Sequence, residues 1–163
     1  TGPVDLPDIE GANIVGIICA KEMARECLSR FDDCDAVIMT AAVCDYVPAA
    51  RTDGKLKKTG EKLSLELVPT TDILAEMGKR KREQVLVGFA LEVEQARENA
   101  LEKLIRKNLD FIVLNSPASF AEEKISCEII DRRGKGISCK NISKRSLAEK
   151  ILELIEKARS GNT

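Results

Sequence analysis

The stretch QVLVGFAL, which is Gln84–Leu91, is apolar almost throughout and does not alternate between apolar and polar residues. A strand of this kind is typical of a parallel sheet that helices cover on both faces, because neither side of the strand meets water. Three further runs have the same character: Asn13–Cys19, Asp35–Val43 and Asp110–Asn115. The sequence therefore predicts that these runs are strands of one mostly parallel sheet.

Helical patterns lie between and after these strands. Apolar residues recur at helical spacing in Ala20–Phe31, Asp72–Arg82, Val93–Lys107 and Lys144–Ala158. We expect Thr70 or Thr71 to cap the second of these helices, since a threonine hydroxyl can accept a hydrogen bond from the first turn. Strands that alternate with helices predict an α/β fold, here a doubly wound, Rossmann-like sheet with helices on both faces.

Two segments depart from this alternation. In Lys62–Val68 leucines alternate with polar residues, so we expect a half-exposed strand that pairs with Gly54–Lys58 as a β-ribbon. Lys124–Asn141 contains two short apolar runs around the turn DRRGKG, which predicts a β-hairpin. We expect the ribbon and the hairpin to extend the sheet within one domain that spans residues 1–163.

The composition is that of a folded, soluble protein, with 44% hydrophobic residues, 33% charged residues and a net charge of −1. This balance argues against a nucleic-acid partner, and no apolar run reaches the roughly 20 residues that a membrane helix needs. The six cysteines form no C-x-x-C pair, and the chain contains no histidine. We therefore expect reduced thiols, a cytoplasmic location, no protein-bound metal and no imidazole-activated nucleophile.

Ligands of α/β sheets bind at the carboxyl ends of the strands. The corresponding joints here are Met39–Asp45, Val68–Asp72, Gly88–Glu92 and Asn115–Ser116. In the first joint Asp45 could hold a ribose hydroxyl, a metal or a base edge, or it could simply begin a turn. No Gly-rich phosphate loop follows the first strand, which argues against a complete dinucleotide-binding unit.

Lysines are crowded in DGKLKKTGEKLSLEL, which is Asp53–Leu67 and contains four lysines and two glycines. Because like charges repel one another, this loop either binds an anion or is a solvated edge that lysines protect from aggregation. If the loop is extended, Lys55 and Lys58 face opposite sides. Lys103 and Lys107 are readily explained as surface residues of one helix.

Taken together, these segments resemble the prokaryotic phosphopantothenoylcysteine synthetases of coenzyme A biosynthesis. The resemblance rests on AAVCDYVP (Ala41–Pro48), KLKKTG (Lys55–Gly60), GFALE (Gly88–Glu92) and KLIRKNLDFIVLN (Lys103–Asn115), and it covers about Gly2 to Ala158 with order and spacing kept. It implies Lys55 as the catalytic lysine, in a loop that closes over the reacting acyl-nucleotide. The nucleotide site that it implies consists of Met39, Thr40, Ala41, Asp45, Lys55, Thr71, Asp72, Ile73, Leu74, Phe89, Lys103 and Lys107.

The resemblance also implies a reaction in two steps. The carboxylate of 4′-phosphopantothenate attacks the α-phosphate of CTP, with Mg²⁺, to give an acyl-cytidylate and pyrophosphate. The amine of L-cysteine then displaces CMP. The attacking carboxylate is already ionised at neutral pH, so the reaction needs no protein base, in agreement with a chain without histidine. The implied partners are a second copy in a homodimer and a fused or associated flavin-dependent phosphopantothenoylcysteine decarboxylase, to which any FMN would belong.

The start of the chain departs from this family. Members begin with a strand, a GGT-type turn and an Asn- and Ser-rich loop that hold phosphopantothenate and help form the dimer, and nothing from Thr1 onward matches them. We therefore expect an N-terminally incomplete domain. Three questions stay open: CTP or ATP as the nucleotide, catalysis or only a dimerising lobe that completes a partner's site, and an NAD(P)-dependent oxidoreductase as a different enzyme class.

Overall fold

The computed structural model describes residues 1–4, 9–50, 54–58, 60, 62–92, 94–115 and 124–161. Its strands are β1 (Ala36–Met39), β2 (Tyr46–Pro48), β3 (Leu67–Pro69), β4 (Val85–Leu91), β5 (Phe111–Asn115), β6 (Lys124–Asp131) and β7 (Gly136–Ser143). Its α-helices are α1 (Ala20–Arg30), α2 (Ile73–Arg80), α3 (Ala96–Arg106) and α4 (Lys144–Arg159), and a 3₁₀ turn, Phe31–Asp33, follows α1. Among the described residues, every helix is too short or too polar to cross a membrane.

The main sheet is mixed and has the strand order β1-β4-β5-β6-β7. Strands β1, β4 and β5 are parallel, with Ala36 opposite Val85 and Val87 opposite Phe111. Strands β6 and β7 form the predicted hairpin, and β6 pairs with β5 in the antiparallel direction. The predicted α/β fold is therefore confirmed, and the hairpin continues the parallel part of the sheet.

Helices cover both faces of this sheet, as the apolar strands predict. Leu86 and Ile112 belong to a core cluster with residues of α1, α2 and α3. Their neighbours Val87 and Val113 point to the opposite face and pack with residues of α4. Successive side chains of a strand alternate between faces, so a strand that is buried on both sides must be apolar at every position.

The predicted strand Asn13–Cys19 is wrong. The structure assigns no strand to this segment, and the described neighbour of β1 in the sheet is β4. The backbone of the segment pairs instead with a single residue: the Thr1 ammonium donates to the Val15 carbonyl at 2.7 Å, and the Ile17 N–H donates to the Thr1 carbonyl at 2.9 Å. One residue cannot form the series of backbone hydrogen bonds that pairs two strands. The apolar character of Asn13–Cys19 is therefore not enough to make it a strand.

The predicted ribbon is also wrong in its pairing. Residues 54–58 form no strand, and β3 pairs in the antiparallel direction with β2, with Val47 opposite Val68. The bond from the Ala49 N–H to the Glu66 carbonyl, at 2.9 Å, continues this pairing. The strand partner therefore comes from the end of the AAVCDYVP segment and not from the lysine loop, in which Thr59 and Glu61 lie outside the described residues.

Several element ends differ from the predictions. Strand β1 ends at Met39, four residues before the predicted end at Val43. The predicted cap of α2 is wrong, because Asp72 is the N-cap and its Oδ1 accepts the Ala75 N–H at 3.0 Å. Carboxylates accept this bond as well as hydroxyls do. Thr70, Thr71 and Asp72 are all residue types that can cap a helix, so the direction in which the chain enters α2 decides which of them is the cap.

Helix α2 packs directly on the C-terminal end of α3 through Gly78. A Cβ atom at Gly78 would lie 2.0 Å from the carbonyl oxygen of Lys107, so a larger residue does not fit. The Asn108 side chain donates to the Gly78 carbonyl at 2.8 Å. Asn108 itself has a φ of 53°, which lets the chain turn away from α3 at this contact. The two helices therefore meet at a fixed backbone distance.

We expect Gly78→Ala to lower the free energy of unfolding by at least about 2 kcal/mol, because the added methyl group overlaps backbone that is held by hydrogen bonds. Urea unfolding followed by circular dichroism measures this change. Gly16→Ala is the matched control, since a Cβ atom at Gly16 meets nothing within 4 Å. Equal stability of the two variants would contradict the packing argument.

Candidate active site

A pocket lies at the carboxyl ends of β1 and β4, where the fold class places ligands. Its lining residues are Met39, Ala41, Val43, Asp45, Thr70, Thr71, Asp72, Ile73, Leu74, Phe89 and Lys107. The described walls enclose about 140 Å³. This volume is smaller than the roughly 300–1,000 Å³ of a pocket that holds a whole small-molecule ligand. A larger ligand would therefore extend beyond these walls.

Thr70 joins the two loops that form one side of the pocket. Its hydroxyl donates to the Cys44 carbonyl at 2.6 Å, and its N–H donates to the Asp45 carbonyl at 2.8 Å. These bonds continue the pairing of β2 with β3 up to the pocket. They fix the backbone of Asp45, whose exposed side chain lines the pocket.

An ion pair between Asp72, at the start of α2, and Lys107, directly after α3, forms the opposite side of the pocket. Lys107 directly follows α3, and its Nζ lies 2.9 Å from Asp72 Oδ2 and donates to Asp72 Oδ1 at 3.1 Å. Asp72 also caps α2, so one carboxylate serves both the helix and the lysine. The contact at Gly78, near the other end of α2, places the backbone of Lys107 beside this helix, and the Lys107 side chain extends from there to Asp72.

The pKa of Asp72 is lowered by its partners. Partial burial is the largest single influence and would raise the pKa of this carboxyl group. The hydrogen bond from Lys107, the Ala75 N–H and the charges of Lys107 and Arg106 act in the opposite direction and together outweigh burial. Asp72 is therefore held in its ionised form.

Nine of the twelve residues that the resemblance assigns to a nucleotide site line this one pocket: Met39, Ala41, Asp45, Thr71, Asp72, Ile73, Leu74, Phe89 and Lys107. They come from four separate parts of the chain. The fold therefore gathers residues that the sequence only suggested as a group. Their role in binding stays a prediction.

The structure does not bring the other three residues into the pocket. Thr40 is exposed, next to residues that line it. Lys103 forms an ion pair with Glu92 at the end of β4. Lys55 is exposed and lies outside the pocket wall, and its neighbours 51–53 and 59 are not among the described residues.

Three residues of this edge lie in the joints that the sequence analysis named, but the sequence did not predict what each of them contacts. Thr70 was considered only as a helix cap, although a threonine beside a strand end can also bond to backbone. Glu92, at the end of GFALE, is the partner of Lys103. Asn115 ends β5, and among the described residues its buried Oδ1 has no hydrogen-bond partner. A buried amide oxygen without a partner is costly, which makes Asn115 a candidate ligand contact.

Comparisons with known proteins point in one direction. A family model for the C-terminal domain of DNA/pantothenate metabolism flavoproteins matches residues 1–158. A protein of an unknown prokaryotic organism, named cysteine/cysteine sulfinic acid decarboxylase, is 43% identical over 137 residues, which are 80% of this chain and 38% of that protein. The coenzyme A biosynthesis bifunctional protein CoaBC of Bacillus subtilis (strain 168) is 45% identical over 116 residues, which are 71% of this chain and 29% of that protein.

A solved structure agrees with these sequence comparisons. The crystal structure of the C-terminal domain of a coenzyme A biosynthesis bifunctional protein CoaBC superposes with a TM-score of 0.79 and 30% sequence identity. The match covers 95% of this chain and 70% of that one. The chain thus spans 38% and 29% of the two relatives in sequence, and most of a single domain in structure.

We expect Lys107→Gln to raise the pKa of Asp72, because the variant removes a hydrogen bond and a charge that favour the carboxylate. Carbon-detected NMR titration of the Asp72 carboxyl group measures this change. In the unchanged chain, Asp72 stabilises the fold above its unfolded pKa of about 3.9, and this stability is lost as the pH falls through the lower folded pKa.

Lys103→Gln is the control for this titration, since Lys103 pairs with Glu92 and not with Asp72. It should leave the pKa of Asp72 unchanged. An equal rise in both variants would mean that the ion pair with Lys107 does not hold the carboxylate.

Proposed function

From the family to which this chain belongs, that of the C-terminal domain of DNA/pantothenate metabolism flavoproteins, we propose that the domain joins 4′-phosphopantothenate to L-cysteine. The proposal includes CTP as the nucleotide and an acyl-cytidylate as the intermediate. A relative and a solved structure that carry the name of coenzyme A biosynthesis support the pathway. The decarboxylase name belongs to a protein of which this chain covers 38%, so that activity is not carried over.

The observation that supports this function most is the convergence of four distant stretches on one pocket. The end of β1 with its following loop, the start of α2, Phe89 of β4 and Lys107 after α3 all contribute residues that the resemblance assigns to a nucleotide. Nine of the twelve assigned residues thus line one pocket at the carboxyl ends of the strands. A dinucleotide-dependent oxidoreductase is less well supported, because the phosphate-binding glycine loop is absent from the sequence.

The charges of the pocket suggest which part of the nucleotide it takes. Its ionisable lining side chains are Asp45, Asp72 and Lys107, which sum to a formal charge of −1. A triphosphate is stabilised by positive charge. We therefore assign the base and ribose to this pocket, with Phe89 as an apolar surface for the base and Asp45 as an acceptor for a ribose hydroxyl. The phosphates would extend toward the lysine loop.

The lysine loop would supply positive charge where the reaction needs it. When the substrate carboxylate attacks, negative charge accumulates on the α-phosphate and on the leaving pyrophosphate. Lys55 would stabilise that charge. The amine of L-cysteine would then attack the acyl carbon of the acyl-cytidylate, form the amide bond and displace CMP. Mg²⁺ that enters with the nucleotide would neutralise further charge on the phosphates.

Pyrophosphate release in the absence of cysteine tests the first half-reaction. We expect release that requires 4′-phosphopantothenate and that is faster with CTP than with ATP. Lys55→Gln should lower the rate at least about 100-fold, the scale for loss of one electrostatic stabiliser. A near-normal rate in Lys55→Gln would remove the proposed role of this lysine.

Lys58→Gln is the control in the same loop and should cause a much smaller loss. A calorimetric titration with CTP separates the alternatives if the unchanged chain releases no pyrophosphate. Binding of CTP without release would support the interpretation as an incomplete nucleotide-binding lobe. Absence of both would contradict the nucleotide assignment itself.

We also propose that the domain forms a homodimer through the exposed apolar side chains next to β2 and β3, which we name the ribbon surface: Tyr46, Leu63, Leu65 and Leu67. They are 60%, 73%, 59% and 51% exposed. Large apolar groups that cluster on a surface mark an interaction site, since each one exposed to water costs free energy. Because the resemblance implies a homodimer, we propose a second copy of the same surface as the occupant.

The mass in solution tests this proposal. We expect light scattering to report a dimer for the unchanged chain and a monomer for the double variant Leu63→Ser/Leu65→Ser. Ile105→Ser is the matched control, because Ile105 is a 72% exposed apolar residue on α3, outside the ribbon surface. A dimer that survives the double variant would place the interface elsewhere.

A further inference from the structure

A second cleft lies between α4 and the turn that joins β6 to β7. Its volume of about 410 Å³ falls within the range of small-molecule sites. It opens beside Phe111, at the amino end of β5, whereas the candidate active site lies at the carboxyl ends of β1 and β4. The two pockets share no lining residue. The cleft is therefore independent of the function proposed above.

The floor of this cleft is apolar and fixed by the core. Phe111 and Ile129 are only 7% and 1% exposed, and both belong to the cluster under α4. Leu154 of α4 and Ile137 of β7 form the walls, and Ile137 is 40% exposed. An apolar ligand would remove this exposed surface from water, which favours binding.

The rim of the cleft is positively charged. Arg133 and Lys135 contribute from the turn and Lys157 from α4, against one lining carboxylate, that of Asp131. In the part of the chain that the structure describes, neither lysine has an acidic partner. Arg133 lies 3.9 Å from Asp131, measured from Nε to Oδ2, so the rim has a formal charge of +2 that Lys135 and Lys157 supply.

The Asp131 carboxylate is only partly available to neutralise this charge, because it already accepts two hydrogen bonds that order the turn. Its Oδ1 accepts the Arg133 N–H at 2.9 Å and the Lys135 N–H at 2.8 Å. Gly134, with a φ of 76°, allows the turn, and its carbonyl accepts a bond from Arg97 at 2.6 Å. The backbone under the cations is thus held in place before any ligand arrives, which lowers the entropy cost of binding.

We propose that this cleft binds an amphipathic anion: a small molecule with an apolar body, such as a medium-length acyl chain, that ends in a carboxylate. The apolar floor would take the body, and the cations of the rim would select the charged end. Exposed charges alone give little affinity in water, so the apolar contact supplies most of the binding and the charge supplies the selectivity.

Titration of the chain with decanoate, followed by ¹H–¹⁵N NMR, tests the proposal. We expect shifts that saturate and that concentrate on the amides around Ile129, Ile137 and Leu154. Decanol, which has the same chain without the charge, should bind at least about tenfold more weakly. The double variant Lys135→Gln/Lys157→Gln should lower decanoate affinity to the level of decanol and leave decanol binding unchanged.

Lys140→Gln is the matched control: this exposed lysine of β7 follows the buried Cys139 and therefore lies on the other face of the strand. It should bind decanoate like the unchanged chain. Equal binding of decanol and decanoate, an equal loss in Lys140→Gln, shifts outside the cleft or no shifts at all would each overturn the proposal. So would shifts of the cleft amides on dilution without ligand, which would identify a second copy as the occupant.

Discussion

The backbone contact between Gly78 and Lys107 is the constraint on which the candidate site depends. Since a Cβ atom would lie 2.0 Å from the Lys107 carbonyl, glycine is what allows α2 to reach the end of α3. That approach places the backbone of Lys107 beside the C-terminal part of α2. The Lys107 side chain then extends to Asp72 at the N-terminal end of the helix, where the two form their ion pair. A packing requirement between backbone atoms thus positions one of the charges of the site.

The strands that the sequence predicted well are those buried on both faces. Strand β4 and the first four residues of strand β5 are recognisable because they are apolar at every position. Helices α3 and α4, which bury one face, are recognisable because their apolar residues recur every three or four positions. These patterns are local consequences of burial. The same local reasoning failed for Asn13–Cys19, because a strand also needs a partner, and the partner is a property of the whole chain.

The location of the candidate site was predicted from the fold class, which places ligands at the carboxyl ends of the strands. The assignment of its residues to a nucleotide came only from the order of the motifs. No single feature of Asp45, Thr71 or Phe89 distinguishes a ligand contact from a turn, a cap or a core residue. What a sequence cannot contain is the geometry between loops, such as the two bonds by which Thr70 attaches to the backbone of Cys44 and Asp45. For the same reason, the sequence did not predict that Lys103 pairs with Glu92, since the two residues lie on different elements.

Under the proposed function, the distribution of charge separates recognition of the nucleotide from the chemical step. The pocket has a formal charge of −1, and its lysine is already bound to a carboxylate, so it would take the neutral, hydroxyl-rich part of a nucleotide. Lysines near a triphosphate are most useful when they are not already paired, and Lys55 is exposed and lies outside the pocket. A stabilising charge on a loop can approach the phosphates when the substrate is in place and withdraw when pyrophosphate leaves. A charge fixed in the pocket wall would bind substrate and transition state alike, which lowers KM without raising kcat.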